Sequence, residues 1–137
     1  MIVLNISKDI FSPKLYPLLE DYSHRWELYM GSAGSGKSYF ITMKCLLRAL
    51  KEKINILVCR RYGTTIRNST FSLFKELIEK WKISDLCKIN ESDFRIKLVN
   101  GSQIIFTSLD EESKLLSFNN LGTVFIEEVT ECTKAIV

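Results

Sequence analysis

The chain has 137 residues, 46% of them hydrophobic and 26% charged, with a formal net charge of +3. That balance describes one ordinary globular unit able to bury a core, and the charge is too small to argue for nucleic acid by itself. No run approaches the roughly 20 apolar residues of a membrane span, and the N-terminus lacks the basic start and apolar core of a secretory signal, so the cytoplasm is the expected compartment.

Residues Ile2 to Ile6 alternate apolar and polar like a short edge strand, and Pro13 and Pro17 mark an irregular connection after it. Tyr16, Tyr22 and Trp26 follow, each able either to lend a ring to an adenine base or to pack against the core. Trp26 to Met30 is short and bulky, consistent with a strand that delivers the chain into Gly31-Ser32-Ala33-Gly34-Ser35-Gly36-Lys37-Ser38. That octapeptide fits Gly-x-x-x-x-Gly-Lys-Ser/Thr at every fixed position and sits between a strand-like and a helix-like segment, the context the pattern needs.

The residue types follow from the ligand. A triphosphate is densely anionic, and successive backbone N–H groups at a helix N-terminus offer oriented donors plus the positive end of the helix dipole. Gly34 and Gly36 let the chain curl closely, Lys37 supplies a mobile charge for the outer phosphates, and the Ser38 hydroxyl is a ligand for magnesium. The expected cofactors are therefore ATP and Mg2+.

From Lys37 to about Lys51, Phe40, Ile41, Met43, Leu46, Leu47 and Leu50 recur at helical intervals, with basic residues near the end where they complement the dipole. Ile54 to Cys59 is a nearly continuous apolar run, as for a parallel strand covered on both faces. Arg60 and Arg61 follow at its C-terminal end, the edge where open parallel sheets hold ligands. They either sense a phosphate or DNA, or pair with acids downstream; both readings stay open. The stretch from Lys44 to Lys82 holds ten basic residues against three acidic, whereas Asp110 to Glu131 holds six acidic and one basic.

Ile66, Thr70, Leu73, Phe74, Leu77, Ile78 and Trp81 predict a second amphipathic helix over about Thr65 to Trp81 with a structural role. Phe94 to Val99 and Gln103 to Thr107 alternate around Asn100-Gly101-Ser102, a hairpin signal, because Asn-Gly tolerates positive φ. A last strand, Thr123 to Ile126, runs into Glu127-Glu128. Two carboxylates there suit phosphoryl transfer, with Glu127 supporting the metal and Glu128 orienting or deprotonating the attacking water. Cys45, Cys59, Cys87 and Cys132 form no Cys-x-x-Cys pair, and the single His24 has no neighbouring ligand type, so neither a disulfide frame nor a zinc site is indicated.

Taken together, these segments resemble the large subunit of bacteriophage terminase, in particular its PBSX-like group. The resemblance runs from about Phe11 onward. It rests on Phe-Ser-Pro-Lys, Tyr-Met-Gly-Ser-Ala-Gly-Ser-Gly-Lys-Ser-Tyr, Leu-Val-Cys-Arg-Arg-Tyr, Ile-Arg-Asn-Ser-Thr-Phe, Asn-Gly-Ser-Gln-Ile-Ile-Phe and Val-Phe-Ile-Glu-Glu-Val-Thr-Glu in that order. It implies a P-loop NTPase fold: a three-layer α/β sandwich with a mostly parallel, here incomplete, sheet and an inserted β-hairpin. Residues Gly31 to Ser38 would bind Mg-ATP, Ser38 and Glu127 would serve the metal, and Glu128, Lys37, Arg60 and Arg61 would serve catalysis, with Arg67 a further candidate for sensing charge. The implied partners are double-stranded DNA, the portal protein, the small terminase subunit and further copies in a ring, in the host cytoplasm. Many relatives carry a second Gly and then Arg where this chain has Ser32 and Ala33.

The chain stops nine residues after Glu128, whereas the family continues with a strand carrying a coupling motif and then a nuclease domain. Residues 1–137 are thus expected to be the N-terminal portion of an ATPase domain, lacking a strand between the loop strand and the last strand, and not a competent motor alone. A helicase-like motor is the alternative enzyme, although Glu127-Glu128-Val129-Thr130 departs from the helicase tetrad; a P-loop kinase suits paired acids less well. A prophage remnant that binds nucleotide without turnover is the non-catalytic alternative.

Overall fold

Helix α1 (Lys37–Lys51) coincides with the predicted span. The structure, a computed structural model, describes residues 14–30, 36–60, 67–109 and 120–128, and of residues 67 and 68 the backbone only. The strand expected at Ile2–Ile6 lies outside these residues. Phe40, Met43 and Leu46 recur on one face of α1 and are fully buried, as their spacing requires. Strand β1 (Asn55–Arg60) follows, then a π-helical turn (Arg67–Phe71) that leads into helix α2 (Ser72–Lys80). Next come β2 (Cys87–Asn90), β3 (Arg95–Leu98), β4 (Gln103–Ser108) and β5 (Leu121–Ile126).

The five strands form one sheet in the order β2-β3-β4-β1-β5. β1 pairs in parallel with both β4 and β5, while β2–β3 and β3–β4 are antiparallel. The sheet is therefore mixed. The predicted hairpin is present as β3–β4, but it is built into the sheet: β4 is the inner neighbour of β1, and β2, which has no clear sequence signal, extends the same edge.

Register decides which side chains meet the helices. Ile56, Val58, Ile96, Ile104, Phe106 and Phe125 share one face and form the core with Phe40, Met43 and Leu46 of α1 and Phe74, Leu77 and Ile78 of α2. Phe106 is the hub on the sheet side, with Phe71 and Phe74 in edge contact at centroid separations of 4.7 and 5.2 Å. At the start of β5 the register with β1 slips by one residue at Gly122, and a Cβ there would lie 2.3 Å from the Ile54 side chain. Only glycine fits that bulge without a shift of Ile54.

The Asn100-Gly101-Ser102 turn does more than join two strands. Gly101 sits at φ 94°. Asn100 Nδ2 donates to the Ala49 carbonyl at 2.8 Å, and the Ser102 hydroxyl reaches the Ala49 and Glu52 carbonyls, each at 2.9 Å, while accepting the Ile54 N–H at 3.0 Å. The turn thereby caps the C-terminus of α1, where carbonyls lack helical partners, and fixes it beside the start of β1. Ser102→Ala is expected to cost about 1–3 kcal/mol, because buried groups lose their partner, as read from a urea unfolding curve.

One predicted element takes another form. Among the described residues Trp26 to Met30 joins no strand ladder: Trp26, Leu28 and Met30 are strongly exposed, while Glu27 and Tyr29 turn to α1. Glu27 Oε1 pairs with the buried Lys44 Nζ at 2.7 Å, and the Tyr29 ring lies 5.4 Å from that of Phe40. Burial first, then the neighbouring Glu27 carboxylate, pushes the Tyr29 hydroxyl up to about 12. Bulky residues suit a strand, but a strand needs a hydrogen-bonding neighbour, and α1 supplies side-chain contacts.

Candidate functional site

Chain direction assembles the site. α1 ends beside the start of β1, so the two run antiparallel. Fifteen helical residues span about 22 Å, close to the roughly 20 Å of a six-residue strand. The N-terminus of α1 is therefore at the sheet end where β1, β4 and β5 finish in parallel. The backbone ladder continues one step past those ends, with Leu109 N–H donating to Arg60 O and Glu127 N–H to Cys59 O, both at 2.9 Å.

Gly36 forms the N-cap of α1 at φ 82°, ψ 5°, the left-handed region that glycine tolerates. Lys37 and Ser38 occupy the first turn and are half-buried. The Ser38 carbonyl accepts the Thr42 hydroxyl at 2.8 Å. Gly31, Ser32, Ala33, Gly34 and Ser35 lie outside the described residues, as do Arg61 and the acidic stretch from Asp110 to Asn119.

The two adjacent glutamates have opposite surroundings. Glu127 is 8% exposed, whereas Glu128 is open to solvent at φ 54°, an uncommon conformation for a residue with a Cβ. Three groups converge on Glu127 Oε2: the Ser69 hydroxyl at 3.0 Å, the Thr70 hydroxyl in a short hydrogen bond, and Arg60 Nη1 at 4.0 Å. Of the two readings open for Arg60, the structure brings it to the downstream acid. Oε1 of the same carboxylate takes no donor among the described residues, nor does any hydrogen bond join Glu127 directly to Ser38. On a largely buried carboxylate, an oxygen without a donor fits a cation or its bound water.

Ser69 and Thr70 were not singled out as site residues by sequence. Helical spacing placed Thr70 in the apolar stripe with Ile66, Leu73 and Phe74, and a hydroxyl at such a position needs a partner. That was the available signal. The partner proves to be an acid 57 residues away. Phe71, next in the chain, fixes the turn by packing on Phe94 and Phe106.

The sequence matches the phage terminase large subunit family over residues 23–135. It is 38% identical to the PBSX phage terminase large subunit of Bacillus subtilis (strain 168) over 122 residues, covering 86% of this chain and 28% of that protein. With the terminase large subunit of Bacillus phage SPP1 it shares 32% identity over 106 residues, 74% of this chain and 25% of that one. The chain thus spans about a quarter of the length of these relatives. Among solved structures, the large terminase from a thermophilic bacteriophage superposes with a TM-score of 0.64 at 15% identity, over 77% of this chain and 27% of that one. That likeness extends to the fold, a mixed α/β sheet with its helices on the core face. The chain belongs to the phage terminase large subunit family.

Proposed function

We propose that this chain is the ATP-binding part of a P-loop motor of the terminase type, whose full-length form drives double-stranded viral DNA into the procapsid. The observation that carries the reading is the placement, at the same end of the sheet, of the Gly36-Lys37-Ser38 helix start and a buried carboxylate, Glu127, whose Oε1 has no donor among the described residues. In this reading the loop from Gly31 to Ser38 wraps the phosphates, Ser38 and Glu127 hold Mg2+ and its waters, and the metal neutralises charge on the transferred phosphoryl group. Glu128, exposed beside Glu127, receives the proton of the attacking water. Arg60 holds the Glu127 carboxylate by charge, and Arg61 stays assigned to catalysis on resemblance alone.

The three-layer P-loop sandwich, the remaining strand of the ATPase domain and the nuclease domain belong to this reading for the full-length protein. So do the portal protein, the small terminase subunit, the ring of copies, the DNA contact and the host cytoplasm. No helix among the described residues is long and apolar enough to cross a membrane. In this reading, nucleotide binding without sustained turnover by residues 1–137 alone rests on the family resemblance.

The test is titration of the chain with fluorescent ATP, with Mg2+ and with EDTA. Saturable binding tightened by Mg2+ is the expected result, and absence of saturable binding by folded chain rejects the reading. In the full-length protein, Glu128→Gln should retain binding and stop hydrolysis.

A further inference from the structure

We propose that Ser69 and Thr70 are positioning residues for Glu127. They clamp its carboxylate by Oε2 so that Oε1 is presented to the magnesium shell, an inference that rests on the metal role given to Glu127 above. Two consecutive hydroxyls reach one carboxylate oxygen. Thr70 is fully buried, and a buried hydroxyl on an apolar stripe is costly unless it is hydrogen-bonded. Here that requirement is met by Glu127, the buried carboxylate of the site among the described residues. Arg60 adds positive charge at 4.0 Å on the same oxygen. A carboxylate gripped on one oxygen by charge-assisted hydrogen bonds is held in one rotamer, and its second oxygen is fixed in space.

The local fold gives the clamp its rigidity. The two residues lie in the π-helical turn Arg67–Phe71, a wide turn of the kind that occurs at functional sites. On its C-terminal side Phe71 is locked between Phe94 and Phe106. On the carboxylate's side, the Glu127 N–H is tied to the Cys59 carbonyl. Glu127 is thus held through its backbone by β1 and through its side chain by the turn before α2. A ligand that moves this carboxylate must also strain the start of α2.

The experiment uses the whole chain and fluorescent ATP, with Mg2+ titrated in from EDTA. Each variant's metal-free affinity is its own reference, and unfolding curves are recorded alongside. In Ser69→Ala/Thr70→Val the Mg2+ concentration giving half of the tightening should rise about tenfold, as for the loss of charge-assisted hydrogen bonds. Thr70→Ser, which keeps the hydroxyl, should return it close to the wild-type value. On a Glu127→Gln background the same two substitutions should add nothing. If Thr70→Val does not fold, Ser69→Ala alone should raise the midpoint about threefold, subject to the same background control.

An unchanged midpoint in the double variant, or a shift that persists on the Glu127→Gln background, overturns the clamp while leaving the nucleotide reading intact. A wild-type chain that binds nucleotide with no response to Mg2+ removes the metal role of Glu127, and the clamp with it.

Discussion

Lys37→Ala is expected to weaken Mg-ATP binding by about 100-fold, the loss of a strong charge-assisted contact, with little change in the unfolding temperature. The second half of that expectation makes the first informative. Lys37 opens α1, where the helix dipole is positive and a cation is unfavourable, and the first turn holds no acid to offset it. The basic residues that suit the dipole, Arg48 and Lys51, are in the last turn. Alanine is also the better helix former. On these helix terms stability should change by no more than about 1 kcal/mol. Fluorescent-ATP titration and a thermal melt on one preparation check both halves. An affinity within twofold of wild type would remove Lys37 from the site.

Phe106→Ala should produce the largest loss of stability, about 3–5 kcal/mol for a buried aromatic cut to a methyl group. Its ring packs edge-on against both Phe71 and Phe74, contacts that contribute beyond buried area. It lies on β4, inner neighbour of β1, so the cavity would open between the sheet and α2. Single domains are typically stable by about 5–15 kcal/mol, so the variant should be near its unfolding midpoint at modest urea concentrations. Phe106→Leu should recover more than half of the loss. Because Phe106 also backs Phe71, the Mg2+ response of nucleotide binding should weaken in any Phe106→Ala protein that stays folded.

Much of the fold is legible in the chain because its signals are local. The 3.6-residue recurrence from Phe40 to Leu50 marks α1 at Lys37–Lys51, and the apolar run after Ile54 marks β1. Asn100-Gly101 marks the β3–β4 turn, where Gly101 adopts positive φ. Elements without a pattern of their own escape such a reading. Strand β2 has four residues, three of them exposed, and owes its existence to pairing with β3. Trp26 to Met30 errs the other way: its bulky residues suggest a strand, and among the described residues no ladder partner adjoins it.

Of the candidate site, the sequence alone determines the kinds of groups: a glycine-lysine-serine helix start, an arginine at one strand end and paired acids at another. Each is legible because its chemistry is contained in a few consecutive residues. Tertiary structure decides which of them meet. It buries Glu127 and exposes Glu128, turns Arg60 toward the acid, makes the Asn-Gly turn a cap for α1, and brings Ser69 and Thr70 to the Glu127 carboxylate. Those outcomes depend on strand register and on contacts between residues more than fifty apart, and no local periodicity encodes such distances. The physical reason is that helix and turn signals report backbone preference over one or two turns, whereas a buried carboxylate takes its partners from whatever the packed core leaves beside it.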